Sequence, residues 1–113
     1  MVSEINRIDA IIRYCEIIEE ARDRFGKDIE DFMDDVHYQT SCSFCMDQIG
    51  ENIKELSSES KNKYPEIDWK GLKGMRDIIA HGYHRIDLDE VWITITEEIP
   101  ALKEACKKIL NEW

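Results

Sequence analysis

Apolar residues recur at steps of three and four through most of the chain, the spacing typical of amphipathic helices. The first such series predicts a helix over residues 4–25, and its members are Ile5, Ile8, Ile11, Ile12, Cys15, Ile18 and Phe25. Ser3 is a suitable N-cap for this helix, and Gly26 is a suitable C-terminal stop. Charged residues fill the intervening positions, so we expect one face of the helix to pack and the other to contact water.

A second long helix is predicted at roughly residues 35–58, after a short helical turn between Asp28 and Met33. Asp34 and Asp35 precede this second helix. Its apolar positions alternate steps of four and three, the narrow seam of helix-on-helix packing. They are Cys42, Met46, Ile49, Ile53 and Leu56.

The third long helix is expected to begin at Trp69 with Asp68 as its cap and to end at Gly82. A polar connection that contains Pro65 precedes it. A final helical region opens at Asp87 or Asp89 and is kinked or restarted at Pro100, because proline lacks a backbone donor. No strand pattern occurs.

Four long helices joined by short connections predict an all-α fold, an antiparallel four-helix bundle with short additional helices. At 113 residues the chain is expected to form one domain over residues 1–113. Apolar seams on the long helices favour a homodimer. No apolar run approaches the roughly 18 residues of a membrane span, and the N-terminus lacks a signal-peptide pattern. We therefore expect a cytoplasmic protein without membrane association.

The four cysteines fall inside helical patterns, which favours reduced, packed thiols. Cys42 and Cys45 form a C-x2-C pair, but no second pair completes four metal ligands. The sequence thus predicts no metal site and no cofactor.

The formal net charge is −10, so a uniform surface of this protein would repel nucleic acid. One stretch departs from this acidity and surrounds two of the three histidines, His81 and His84. Its cations are Lys70, Lys73, Arg76 and Arg85. The candidate RNA-contacting residues are Lys70, Lys73, His84 and Arg85.

Within this stretch, Arg76, His81 and Tyr83 have the side chains for phosphodiester chemistry without a metal. The guanidinium of Arg76 matches phosphate oxygens, and His81 can give or take a proton near neutral pH. On a regular helix, however, positions 76 and 81 lie about 140° apart. Either the helix ends or loosens around His81, which Gly82 would allow, or the cleft is shared across a dimer axis.

The string from Arg76 to Tyr83 resembles the R-x4-H-x-Y signature of the HEPN superfamily in its HepT-like branch. That branch supplies the toxin of HepT/MntA toxin–antitoxin systems. Other segments also resemble the branch, so the similarity spans nearly the whole chain. They are I-G-E at 49–51, Y-P-x-I-x-W at 64–69, G-M-R at 74–76, D-L-x-x-V-W at 87–92 and I-P-A-L at 99–102.

The resemblance implies a homodimeric helical bundle that acts as a metal-independent ribonuclease on cellular RNA, either tRNA or mRNA. Arg76 and His81 match the catalytic positions. Tyr83 matches the tyrosine that a partner nucleotidyltransferase, an MntA-like antitoxin, adenylylates to silence the toxin. Asp34 or Asp35 could correspond to an acidic residue that some relatives contribute to the cleft. The alternative is a non-catalytic helical adaptor or nucleotide-binding partner of such a nucleotidyltransferase.

Overall fold

The structure, a computed structural model of the chain, describes residues 3–82 and 88–112, with the backbone alone described for residues 76–82. Within these ranges the chain is helical apart from short turns, and no strand occurs. The elements in order are α1 (Glu4–Phe25), α2 (Ile29–Met33), α3 (Val36–Lys54), α4 (Ser58–Asn62), α5 (Trp69–Gly82), α6 (Leu88–Ile93), a π-helical segment (Thr94–Glu98) and α7 (Ile99–Asn111).

The long helices pack as a bundle. Helix α1 lies against α3 and α7, and α3 also packs on α5. The last long segment is continuous, because α6, the π-helical segment and α7 follow one another without a break. These packing partners confirm the predicted all-α fold.

Local capping explains where α1 begins and ends. The Ser3 hydroxyl accepts a hydrogen bond from the Asn6 N–H at 3.2 Å, which satisfies one of the free donors of the first turn. Gly26 follows the helix with a φ of 133°, a conformation that side chains disfavour. Both predicted boundaries of α1 are confirmed.

Helix α3 is shorter than the pattern predicted, since it ends at Lys54 rather than near residue 58. The reason is a competing cap. The Ser57 hydroxyl accepts from the Ser60 N–H at 3.2 Å and so starts α4. Leu56 lies between the two helices and is still buried, which is why it fitted the apolar stripe.

Pro100 changes the helix as expected, and the structure shows how. Upstream of the proline, the helix widens, and the Ile99 N–H donates to the carbonyl oxygen of Thr94, five residues back. Proline cannot donate to the preceding turn, so a wider turn shifts the bonding pattern before α7 begins. The Thr94 hydroxyl also donates to the Glu90 carbonyl oxygen at 3.0 Å.

An aromatic cluster joins α2, α3 and α6. The Phe32 and Tyr38 rings meet edge to face with centroids 5.1 Å apart, and Trp92 packs 5.6 Å from Phe32. The Arg22 guanidinium lies 5.8 Å from the Trp92 ring. Trp92 therefore packs within this cluster.

Candidate active site

Helix α5 positions the candidate catalytic residues, and its start is fixed by Asp68. The Asp68 carboxylate accepts from the Gly71 N–H at 3.0 Å, which confirms the predicted cap. A Cβ at position 71 would lie too close to that carboxylate as it is placed here, so a larger residue would require the carboxylate to move. Leu72 and Met75 bury one face of α5 against the bundle.

The backbone of α5 stays α-helical through position 81 and ends at Gly82. Positions 76 and 81 therefore keep the separation of a regular helix, about 140° around its axis. The side chains of Arg76 and His81 lie outside the described part of the structure. Tyr83, His84 and Arg85 are outside the described residues altogether.

Lys70 and Lys73 lie in the described part of α5 and are exposed. Both line a groove between α4 and α5, together with Lys61 and Asn62 of α4. The sequence does not indicate Lys61 as a member of this group, because it precedes Pro65 and belongs to another helix. No local pattern in the sequence connects it to α5.

Asp35 has a structural task at the start of α3. Its carboxylate accepts from the backbone N–H groups of His37 and Tyr38 at 2.9 and 3.3 Å. Asp34 is exposed and ends α2. The two aspartates thus terminate and begin adjacent helices, and their participation in a cleft stays a prediction.

All four cysteines are buried, and none of them forms a disulfide. Burial raises the pKa of Cys42 and Cys106 to about 12 each and that of Cys45 to about 11. Their thiols are therefore protonated at neutral pH and act as small apolar groups.

Among residues 3–75 and 88–112, no group of three or more His, Cys, Asp or Glu side chains could hold a metal ion. In the described helices, none combines the length and apolar character needed to cross a membrane.

Comparison with known proteins identifies the family of the chain. The model of the family described as "Ribonuclease HepT-like" matches residues 11–109, a region that contains all of α5. The chain belongs to the HepT-like ribonuclease family. This membership confirms the family that the motifs indicated and the enzyme class, ribonuclease.

Two relatives of this HepT-like protein match almost its full length. A protein of Caldanaerobacter subterraneus subsp. tengcongensis, named as a candidate RNase, is 33% identical over 93% of this chain and 92% of its own. A protein of Thermococcus cleftensis, named "Probable ribonuclease HepT", is 34% identical over 90% of this chain and 91% of its own. No solved structure matches the chain significantly.

Proposed function

We propose that this HepT-like protein is the toxin of a type VII-like toxin–antitoxin system and cleaves cellular RNA, tRNA or mRNA, without a metal ion. One observation carries the proposal. The Arg76-x4-His81-x-Tyr83 motif begins on α5 and ends just beyond it, inside the region that the ribonuclease family matches.

The proposed reaction assigns one task to each catalytic residue. The ribose 2′-hydroxyl attacks the adjacent phosphorus, and the bond from phosphorus to the leaving 5′-oxygen breaks. His81 moves the proton on the attacking or the leaving oxygen. Arg76 stabilises the negative charge that builds on the phosphoryl oxygens. The products would carry a cyclic 2′,3′-phosphate and a free 5′-hydroxyl.

We also propose that the active protein is a homodimer. On the regular helix α5, positions 76 and 81 lie on different sides, so one helix does not bring the two side chains together by its own geometry. A second copy related by a two-fold axis supplies another Arg76 and another His81 to a shared cleft. Because α5 stays regular around position 81, its geometry supports a cleft shared between two chains rather than a helix that loosens around His81.

In this proposal, Tyr83 is the regulatory residue. It follows α5 directly and is separated from His81 by one residue. A cytoplasmic nucleotidyltransferase antitoxin transfers AMP from ATP to Tyr83: the tyrosine oxygen bonds to the α-phosphorus and pyrophosphate leaves. The added phosphate is negatively charged and would compete with RNA for Arg76.

Co-expression with the nucleotidyltransferase encoded nearest to the gene tests the toxin assignment. We expect the wild-type chain alone to arrest growth and the partner to restore it, with AMP found on Tyr83 by mass spectrometry. Tyr83→Phe should stay toxic in the presence of the partner. A tight complex with the partner but no toxicity and no RNA cleavage would contradict the proposal and support the adaptor.

A further inference from the structure

We propose that the groove between α4 and α5, formed by Lys61, Asn62, Lys70 and Lys73, binds backbone phosphates of single-stranded RNA on the way to the cleavage site. The inference rests on the proposed ribonuclease function and adds a substrate-binding site to it. The sequence indicated Lys70 and Lys73, which both lie on α5. Lys61 and Asn62 add residues from a second helix, α4.

The groove has the charge and size for a phosphate group. Its volume is about 270 Å³, and it is lined by Ile53, Lys61, Asn62, Pro65, Trp69, Lys70 and Lys73. Three of these side chains are cationic, one is an amide that can donate hydrogen bonds, and none is a carboxylate. Lys70 and Lys73 are exposed and Lys61 is half-buried, so all three can meet a ligand from solvent.

Neighbouring cavities have the opposite character. The cavity beside the start of α4 is lined by Glu4, Glu59 and Glu112 against the single cation Lys63. Another, between the start of α5 and the π-helical segment, is lined by four carboxylates and no cation; these are Glu66, Asp68, Glu97 and Glu98. On a chain of net charge −10, a polyanion is repelled from such surfaces and is held where cations concentrate.

The groove is also built rigidly. The Trp69 indole N–H donates to the carbonyl oxygens of Lys61 and Tyr64 at 3.1 and 3.0 Å. This bifurcated hydrogen bond fixes the end of α4 against the first turn of α5. Ile53 and Trp69 are buried and form the apolar floor. Because the backbone that carries Lys61 is held in place, less ordering is needed when the ligand binds.

The register of α5 connects the groove to the catalytic end. Positions 70 and 81 are eleven residues apart, which corresponds to about 16 Å along the helix and an angular offset of only about 20°. Both positions therefore lie on one line along α5. An RNA strand that follows this line has its reacting phosphate near position 81 and more distant phosphates in the groove.

The chemistry of the groove favours RNA backbone over bases. Lysine ammonium groups are point charges that bind phosphate without reading sequence. Trp69 is only 8% exposed, so its ring is not available as a stacking surface. We therefore infer a sequence-tolerant contact with several phosphates of a single strand, and not a nucleoside pocket.

A charge-matched pair of triple variants tests the groove. Lys61, Lys70 and Lys73 are changed to Gln in one full-length protein, and Lys27, Lys107 and Lys108 in the other, so both lose the same charge. All three control lysines are exposed and lie away from the groove. The probe is a single-stranded RNA of roughly 12 nucleotides whose 2′-hydroxyls are replaced by fluorine, so that binding is measured without cleavage.

Fluorescence anisotropy at several salt concentrations gives the dissociation constant and its salt dependence. We expect the groove variant to bind about tenfold more weakly at low salt and to lose about two from the slope of log K against log salt, as three single-strand phosphate contacts would. The control variant should stay within about twofold of wild type. Equal losses in the two variants, or no loss in the groove variant, would overturn the inference.

Single substitutions and the binding of other ligands sharpen the test. Lys61→Gln should weaken RNA binding more than Lys63→Gln, because Lys63 instead pairs with Glu112 at 3.5 Å. If the groove variant binds RNA as wild type does but no longer binds the nucleotidyltransferase or free ATP, the groove serves another ligand and the inference is wrong.

The groove and the ribonuclease proposal can fail separately. If unmodified wild type cleaves no RNA but the groove variant binds the fluorinated probe weakly, the ribonuclease assignment fails and the groove stands. In a protein that does cleave, the groove variant should lose more rate on the longer natural RNA than on a dinucleotide, which is too short to reach α4. Equal losses on the two substrates would count against the groove.

Discussion

The indole of Trp69 donates to the carbonyl oxygen of Lys61 at 3.1 Å, so the first residue of α5 fixes the position of a lysine on α4. The same N–H also reaches the Tyr64 carbonyl oxygen. One side chain thereby links the connection that contains Pro65 to the helix on which the proposed catalytic motif begins. The cationic groove depends on this link.

Trp69→Phe should therefore reduce both stability and RNA affinity. The substitution removes the indole donor from two carbonyl oxygens, which keep only their backbone donors, the N–H groups of Tyr64 and Ile67. It also removes part of a buried ring, and together these changes cost about 1–3 kcal/mol in the free energy of unfolding. Urea unfolding measures the first effect, and anisotropy with the fluorinated RNA measures the second. Trp92→Phe is the matched control, since it also shortens a packed indole but lies in the aromatic cluster with Phe32. An equal fall in RNA affinity for both variants would contradict the link.

Glu4 should make the stability of the fold depend on pH. Burial acts to raise the pKa of its carboxyl, but hydrogen bonds from the Ser57 N–H, the Ser60 hydroxyl and the Ser57 hydroxyl, with the charge of Lys61, lower the pKa below its ordinary 4.5. A depressed pKa in the folded state stabilises the protein above the unfolded value. That contribution is lost as the pH falls through the folded value.

Glu4→Gln should consequently lose less stability than wild type when the pH is lowered from about 6 to about 3. The free energy of unfolding, measured by urea titration at each pH, provides the comparison. Glu59→Gln, a nearby exposed glutamate, is the control and should follow wild type. Parallel pH profiles for Glu4→Gln and wild type would show that the contact between α1 and α4 does not contribute to the pH dependence of the free energy of unfolding.

The cysteines should resist modification in the folded protein. Burial raises the pKa of Cys42 and Cys106 to about 12, so hardly any thiolate exists at pH 8, and the sulfurs are shielded from reagent. We expect a disulfide reagent to react slowly with the thiols of the native protein. After denaturation it should react rapidly with all four. Fast reaction of Cys42 or Cys45 in the native state, or stoichiometric zinc in the purified protein, would contradict their packing role.

Mixing two inactive variants tests the shared cleft. Arg76→Ala and His81→Ala are unfolded together and refolded, so that about half of the dimers contain one chain of each kind. If each reaction uses Arg76 of one chain and His81 of the other, about a quarter of wild-type activity should return. Absence of recovery, with mixed dimers demonstrated by mass spectrometry, would place both residues of a site in one chain.

Local patterns predicted most of the fold. Ser3, Gly26 and Asp68 lie next to the backbone groups that they cap, so the sequence carries the boundaries of α1 and the start of α5. The end of α3 was placed too late, because the buried Leu56 continued its apolar spacing beyond the helix. Spacing reports which residues are buried, but it does not report which backbone hydrogen bonds they make.

The candidate site was likewise predictable only where its residues are neighbours in the sequence. The motif from Arg76 to Tyr83 is contiguous and was visible in the sequence, although its side chains lie outside the described residues. The partnership of Lys61 with Lys70 depends on how α4 folds back on α5, a contact without a local pattern. Contacts of Glu4 with Ser57 and Ser60, more than fifty residues away in sequence, were invisible for the same reason.

The rate at which purified tRNA and mRNA are cleaved in excess EDTA is the most direct test of the proposed metal-independent cleavage by Arg76 and His81. Unmodified wild type and the surface control Lys107→Ala should cleave at equal rates. Arg76→Ala and His81→Ala should each be slower by about 10²–10⁴, the usual effect of removing a charge-stabilising or proton-transferring group. Equal rates for all four proteins, or no cleavage by unmodified wild type, would contradict the proposed ribonuclease function.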